Sequence, residues 1–164
     1  MSERGVSVLI VAIVALGLLW SLRTVNDPPP TRVPTVPALV PDMVPLVTGD
    51  EPIGAIFTRA GCPVCHTIPG IAGADGRVGP ALLLGSTGSE RLRDPAYRGK
   101  ANTVHEYAVE SVLEPGVFVL PGYPANTMPT WYGTKLSALA LEKIATYLEQ
   151  QKTEEDVQGH RRLQ

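Results

Sequence analysis

Cysteine is scarce in this chain, and its scarcity excludes several ways of stabilising a protein. Only two of the 164 residues are cysteines, Cys62 and Cys65. None remains to form a disulfide between distant parts of the chain, so a small domain here needs another source of stability. A structural zinc site takes about four ligands, and the only other soft donors are three scattered histidines. A structural zinc site is therefore disfavoured.

The chain also has little net charge and few residues in strand-like patterns. The formal net charge is −2, so no basic surface argues for a nucleic-acid partner. No run of residues alternates apolar and polar side chains convincingly, and no strand–helix–strand order is visible. A thioredoxin-like disulfide motif belongs near such an order and is disfavoured. The sequence predicts an all-α fold with long loops.

The two cysteines belong to one motif, Cys62-Pro63-Val64-Cys65-His66. C-x-x-C-H is the attachment signature of haem c. Positions i, i+3 and i+4 of a helical turn share a face, so we expect each thiol to bond one vinyl group of a single haem. His66 is then the proximal ligand of the iron. A chance match in a haem-free protein is the alternative that the pentapeptide alone leaves open.

Residues 5–22 carry no charge and are flanked by Arg4 and Arg23. As a helix they extend about 27 Å, just enough to cross the hydrocarbon core of a bilayer. We predict a single-pass membrane anchor over residues 1–25. A cleaved signal peptide is the alternative, but it has a shorter apolar region and ends at a site of small residues. The end of this run, Leu-Trp-Ser-Leu-Arg, favours the anchor.

Residues 26–52 form a proline-rich spacer, with prolines at 28, 29, 30, 34, 37, 41, 45 and 52. Such a segment cannot hold a helix and favours extended polyproline II at about 3.1 Å per residue. It suits a tether that lets a haem domain move above a membrane. Its many valines and leucines suit equally well an ordered strap lying across a partner subunit.

The folded domain is predicted over residues 53–151, followed by a polar tail over 152–164. A short amphipathic helix leads into the motif through Ile53, Ile56, Phe57 and Ala60, and a longer helical stripe follows near the end through Leu136, Leu139, Ala140, Ile144, Tyr147 and Leu148. We expect these two helices to pack together.

A third helix is predicted from Thr103 to Glu114, and the capping-box pair Thr103 and Glu106 marks its start. His105 falls off its inward face, which favours a surface position over iron ligation.

The sixth position on a haem iron determines what the haem does, and methionine there raises the potential and makes an electron carrier. The chain offers Met1, Met43 and Met128. Met128 lies in a turn-rich loop and precedes a proline, which keeps it out of helical conformation. It is a candidate ligand, with a core-filling role as the alternative. Without a sixth ligand the protein is a five-coordinate haem sensor or catalyst.

From Ile53 to Gln150 the chain resembles a class I c-type cytochrome domain, such as those of haem–copper oxidase subunit II. Matching features follow in order: Phe57 before the haem motif, Val78-Gly79-Pro80-Ala81-Leu82, Tyr107-x-x-Glu110-Ser111-x-x-x-Pro115, Gly122-Tyr123 leading to Met128-Pro129, and Tyr147 in the last helix. The resemblance implies a small fold of about three main helices and long loops around one haem. It implies that Met128 is the distal ligand and that the carbonyl of Pro80 binds the proximal imidazole.

The resemblance also implies a function. It indicates an electron carrier rather than an enzyme, exchanging electrons with redox protein partners or other subunits of a membrane respiratory complex and using no small-molecule substrate. The haem domain is expected on the periplasmic side of a bacterial cytoplasmic membrane, anchored by residues 5–22. One departure is a long polar loop over residues 85–102 with four basic residues. It leaves the contacts of the haem propionates open, and a solvated loop is the favoured interpretation.

Overall fold

The computed structural model describes residues 12–20 and 40–153. The chain divides into two compact units, residues 1–34 and 35–164. In the first unit, residues 12–20 are helical. Across the described ranges, no helix combines the length and apolar character needed to cross a bilayer. Much of the predicted anchor, most of the spacer and nearly all of the polar tail lie outside the described residues.

The second unit is all-α over residues 40–153, which confirms the predicted fold class. Its helices are α1 (Ile53–Ala60), α2 (Cys62–Cys65), α3 (Leu84–Arg93), α4 (Val104–Leu113) and α5 (Ala138–Glu149), with 3-10 turns at Pro41–Met43 and Tyr132–Thr134. The only extended pairings in this range are two isolated bridges, Val47 with Leu136 and Thr67 with Asp75. Within residues 40–153, three helices of eight residues or more precede the final helix, one more than the sequence predicts.

Helix α1 packs on helix α5, as the two apolar stripes predict. Phe57 is fully buried, and its ring meets the ring of Tyr147 edge to face with centroids 5.5 Å apart. The prediction that Leu139 faces inward is wrong, since 47% of this residue is exposed. Ala140, Ile144 and Leu148 form the buried face; Leu139 lies one residue, or about 100° of rotation, away from it.

The hydroxyl of Tyr147 ties α5 to the loop that follows the haem motif. It donates to the carbonyl oxygen of Pro69 at 2.6 Å. We expect Tyr147→Phe to lower the free energy of unfolding by about 1–2 kcal/mol, because the hydrogen bond is lost and a half-buried carbonyl loses its partner. Tyr147→Leu is expected to cost more, since it also removes the ring that packs on Phe57. Urea unfolding measures both; equal losses would show that the hydroxyl carries the whole effect.

Helix α4 begins at the capping box that the sequence predicts. The hydroxyl of Thr103 accepts from the Glu106 amide at 3.1 Å, and the Glu106 carboxylate accepts from the Thr103 amide at 3.3 Å. Each side chain thus satisfies an amide that the first turn of a helix leaves without a partner. The predicted N-terminus of this helix is confirmed.

His105 lies between α4 and α5 rather than free in solvent. Its Nε2 is 3.1 Å from the carboxylate of Glu142 and its Nδ1 is 3.5 Å from that of Glu149. Burial opposes protonation, but the hydrogen bonds and charges of the two carboxylates outweigh it and raise the pKa of His105. In its protonated form the imidazole links the two helices through both carboxylates.

This linkage predicts a pH-dependent contribution to stability. Because the folded state raises the pKa, the contribution is complete below the unfolded value of about 6.5 and is lost as the pH rises through the folded value. We expect His105→Gln to cost about 0.2–1 kcal/mol at about pH 5.5 and almost nothing at about pH 8.5. Unfolding of wild type and variant at both pH values measures this. A cost that does not change with pH would contradict it.

The prediction of a solvated loop over residues 85–102 is wrong for its first half, which is helix α3. Glycines at 85 and 88 suggested a loop, but they serve close packing. A side chain on Gly88 would collide with Val104 of α4, and one on Gly85 would collide with the carbonyl of Glu149 in α5. The glycines therefore let α3 approach both helices.

The second half of this segment is held against α4 by Tyr97 and Glu110. The Tyr97 hydroxyl donates to the Glu110 carboxylate and accepts from the Ala101 amide at 2.9 Å. The other carboxylate oxygen accepts from the Lys100 amide at 2.7 Å. Burial and the adjacent carboxylate raise the pKa of Tyr97 to about 12, so its hydroxyl remains a donor at neutral pH.

The end of the proline-rich spacer packs on the folded unit. Val44 and Val47 are buried. The amide of Val47 donates to the carbonyl of Lys135 at 2.8 Å, and the amide of Ser137 donates to the carbonyl of Val47 at 3.0 Å. The folded unit therefore includes residues before Ile53. Some of the apolar spacer residues that suggested contact with a partner subunit pack on the folded unit of this chain instead.

Candidate functional site

A large open cavity lies among the helices of the second unit. Its walls come from α1 to α5 and from the loop before Trp131, and most of its lining is apolar. All five residues that the sequence singles out line this cavity: Cys62, Cys65, His66, Pro80 and Met128.

The two cysteines are placed by a short helical turn. Gly61, with a φ of 78°, ends α1 in the left-handed conformation and lets α2 begin in a new direction. Pro63 stands in the first turn of α2, where no amide donor is needed. Both thiols are free. Burial raises the pKa of Cys62 to about 12 and also raises that of Cys65.

The number of donors argues against a structural metal held by the thiols. A structural zinc ion takes about four protein ligands, and the motif offers two thiols and one imidazole. Within residues 12–20 and 40–153, no three side chains of histidine, cysteine, aspartate or glutamate cluster as a metal site. The donor set does not fit zinc, whereas two thiols in the wall of an apolar cavity fit covalent attachment of a cofactor.

His66 follows α2 and does not continue its helix. Its backbone is extended, with φ −116° and ψ 142°, so the expectation of one helical turn carrying all three motif side chains is wrong at this residue. The amide of His66 still donates to the carbonyl of Cys62 at 3.0 Å. The turn is therefore closed, and His66 lines the same cavity as the thiols.

The imidazole of His66 is oriented by Pro80. Its Nδ1 lies 2.8 Å from the carbonyl oxygen of Pro80, the contact that the resemblance implies. A carbonyl only accepts, so the proton is on Nδ1 and the lone pair is on Nε2. Burial lowers the pKa of His66, against the opposing effect of the Pro80 hydrogen bond. The ring is thus neutral, which is the form that binds iron.

Gly79 makes this arrangement sterically possible. A side chain at this position would collide with the imidazole of His66. Its amide donates to the carbonyl of Cys65 at 2.8 Å, which fixes the loop beside the motif. The Gly-Pro pair therefore acts as one unit: the glycine leaves space for the ring, and the proline carbonyl orients it.

Met128 is half-buried and reaches the cavity from a largely exposed loop. Of the other methionines, Met43 is 62% exposed and does not line the cavity, and Met1 lies outside the described residues. The loop is anchored just beyond Met128 by Tyr132, whose buried hydroxyl donates to the carbonyl of Ala60 at 3.1 Å. This bond joins the methionine loop to the end of α1, directly before the haem motif.

Two residues of the site are missing from the sequence-based prediction. Tyr132 carries no spacing signal that distinguishes it from a core aromatic. Arg91 lines the cavity and is buried, although the sequence placed it in a solvated loop. Leu84, Gly88 and Arg91 are the buried residues of α3, and their i, i+4, i+7 spacing was the available signal. The two glycines obscured it.

The cavity as a whole fits haem c. Its walls are mainly apolar, with Phe57 from α1, Leu84 from α3, Tyr107 from α4 and Ile144 from α5. Two thiols, a neutral imidazole held by a carbonyl, and a thioether share this space. These are the groups that attach and ligate a c-type haem. Proteins commonly orient a ligating histidine by a hydrogen bond to the ring nitrogen that does not bind the metal.

Comparison with known proteins found no match among family models, curated proteins or solved structures.

Proposed function

We propose that this protein is a membrane-anchored monohaem cytochrome c that transfers single electrons between redox partners. The observation that carries the proposal is the convergence of five residues on one apolar cavity: Cys62, Cys65, His66, Pro80 and Met128. The two cysteines are the only ones in the chain. The proposed fold is that of a class I cytochrome c, which the described helices and long loops suit.

Each residue has a separate task in this proposal. Cys62 and Cys65 would hold the haem covalently, and His66 and Met128 would ligate its iron. Bound haem supplies reversible one-electron chemistry at its iron. Pro80 keeps the imidazole in one orientation and one tautomer, while the buried aromatic and aliphatic walls exclude water. With His66 and Met128 both bound to the iron, electron transfer would be favoured over the binding of outside ligands, so no small-molecule substrate is expected.

The setting of the protein follows from residues 5–22 and from the need for haem attachment. We propose a single-pass anchor in a bacterial cytoplasmic membrane, with the haem domain on the periplasmic side. The partners are then redox proteins or other subunits of a respiratory membrane complex. The spacer supports either a tethered carrier or a subunit held within such a complex.

Covalent haem is the first test. The full chain, produced in a host that attaches haem c, is expected to show peroxidase-active haem staining after denaturing electrophoresis. The double variant Cys62→Ala, Cys65→Ala is expected to lose all of that staining, because no other thiol exists in the chain. Val64→Ala is the matched control, since Val64 is exposed between the cysteines. A wild-type chain without covalent haem would overturn the proposal.

A reduced spectrum then separates the carrier from a five-coordinate sensor or catalyst. The carrier is expected to be low-spin and to bind carbon monoxide poorly when reduced. The alternative has an open iron position and binds carbon monoxide readily. Rapid formation of a carbon monoxide adduct in the wild type would favour the sensor or catalyst.

A further inference from the structure

The end of the proline-rich spacer presents apolar side chains to solvent. We call residues 40–47 the pre-helix segment. Its buried side chains are Val44 and Val47. A 3-10 turn lies within it at Pro41–Met43, and 3-10 and polyproline II backbones both have three residues per turn. The large side chains on its other side are also spaced by three, and they are 48%, 62% and 63% exposed: Val40, Met43 and Leu46.

The backbone that carries these side chains is fixed to the folded unit. The hydroxyl of Ser137 donates to the carbonyl of Thr48 at 2.5 Å. The carboxylate of Glu51 accepts from the amide of Gly49 at 2.9 Å and pairs with Arg59 at 2.7 Å. A surface that is already ordered loses little conformational entropy when it binds. The three exposed side chains therefore form a preorganised apolar surface.

The composition of this surface favours lipid over protein as its partner. Tryptophan, tyrosine and arginine dominate the binding energy of protein interfaces, whereas leucine and valine are under-represented. The pre-helix segment contains none of the first three residue types. A stable protein interface also takes roughly 20–30 residues a side, far more than this surface offers. Hydrocarbon, in contrast, requires no specific groups from the side chains that contact it.

The position of the segment in the chain supports the same partner. The proposed anchor ends at residue 22, and residues 23–39 join it to the pre-helix segment. A chain of that length spans at most about 60 Å, so a bilayer that holds the anchor is always within reach. A tether of this kind gives an effective concentration on the order of millimolar. A weak contact by three side chains is then sufficient.

We propose that the exposed side of the pre-helix segment inserts into the headgroup region of a zwitterionic bilayer. The inference rests on the proposed anchor and is independent of haem. Charge selects the class of lipid, because Asp42 and Asp50 are exposed and residues 40–51 include no basic residue. Anionic headgroups attract basic segments and repel this one. The folded unit is thus held on the membrane surface.

The test places a nitroxide label at Met43→Cys in the haem-loaded full chain, with one copy in each phosphatidylcholine nanodisc. We expect frequent collisions with oxygen, which concentrates in hydrocarbon, and few with a water-soluble nickel chelate. Glu90→Cys is the matched control, because Glu90 is exposed on α3, and the opposite pattern is expected there. A label at position 43 that nickel reaches readily would contradict the lipid contact. A label that neither reagent reaches would show that protein covers the surface, which also overturns the inference.

Oxidation of the native Met43 provides a measurement without a label. A water-soluble chloramine converts an accessible thioether to the sulfoxide, and peptide masses give the rate. We expect slow oxidation of the wild type in phosphatidylcholine nanodiscs. Faster oxidation is expected in Val40→Asp, Leu46→Asp, because carboxylates oppose insertion into lipid, and also in the wild type when anionic phosphatidylglycerol is added. Equal rates in the three samples would show that Met43 does not contact lipid.

The same samples separate this inference from the proposed function, because haem staining and the optical spectrum are measured on them too. A chain without covalent haem whose label lies in lipid overturns the cytochrome and leaves the lipid contact standing. A low-spin, haem-loaded chain whose label lies in water overturns the lipid contact alone. A chain that does not remain with the nanodiscs overturns the anchor and the lipid contact together.

Discussion

Replacing Met128 by alanine is expected to convert a low-spin haem spectrum into a high-spin one. Among the described methionines, Met128 is the one that lines the cavity with His66, and alanine has no donor atom to replace the thioether. Loss of a methionine ligand also lowers the potential. Axial ligands set haem potentials over a range of roughly 0.8 V, and we expect a fall on the order of 0.1 V or more. The reduced variant should then bind carbon monoxide readily.

The matched control is Met43→Ala, which removes a thioether that is 62% exposed and lies outside the cavity. Its spectrum and potential are expected to equal those of the wild type. Optical spectra of both oxidation states, taken with a potentiometric titration, measure every quantity named. An unchanged spectrum and potential in Met128→Ala would show that the thioether is not a ligand, and the five-coordinate sensor or catalyst would then be the better function.

Gly79→Ala is expected to have the second large effect, through His66. The added methyl group would overlap the imidazole beside Nδ1, the nitrogen that is held by the Pro80 carbonyl at 2.8 Å. Either the ring leaves that hydrogen bond or the loop moves. Overpacking of this kind costs about 1–3 kcal/mol. We therefore expect lower thermal stability together with an altered potential, because the orienting hydrogen bond of the ligand is disturbed.

Gly54→Ala is the control for the glycine replacement itself. Gly54 lies within α1, and no atom lies within 4 Å of the position where its side chain would stand. Alanine is favoured over glycine in a helix by about 0.5–1 kcal/mol, so this variant is expected to be as stable as the wild type or more stable. If Gly79→Ala matches Gly54→Ala in both stability and potential, the close approach of Gly79 to the imidazole has no role in the site.

Local patterns in the sequence predicted the elements that depend on neighbouring residues. The apolar spacing of Ile56, Phe57 and Ala60 identified α1 because one helical face meets the core. The pair Thr103 and Glu106 identified the start of α4 because a capping box closes within four residues. The buried face of α5 was predicted with one error. Leu139 was included in the apolar stripe but is exposed.

Patterns failed where distant residues decide the conformation. Helix α3 was missed because Gly85 and Gly88 lower helix propensity, and their advantage is visible only when α4 and α5 are packed against them. The packing of Val47 was missed because it depends on backbone hydrogen bonds with Lys135 and Ser137, which lie far along the chain. In both cases tertiary contacts outweigh the local preference.

The sequence by itself determined the proposed chemistry of this protein. The two thiols and the imidazole lie within five consecutive residues, and few cofactors bind two thiols and an imidazole at this spacing. It also determined the fold class through the helical spacing of apolar residues. Only the tertiary structure decided which distant residues join the motif. Pro80 reaches the imidazole, Met128 reaches the cavity and Arg91 is buried in its wall because the helices and loops around them pack in one arrangement, and no local pattern specifies contacts between residues so far apart in the chain.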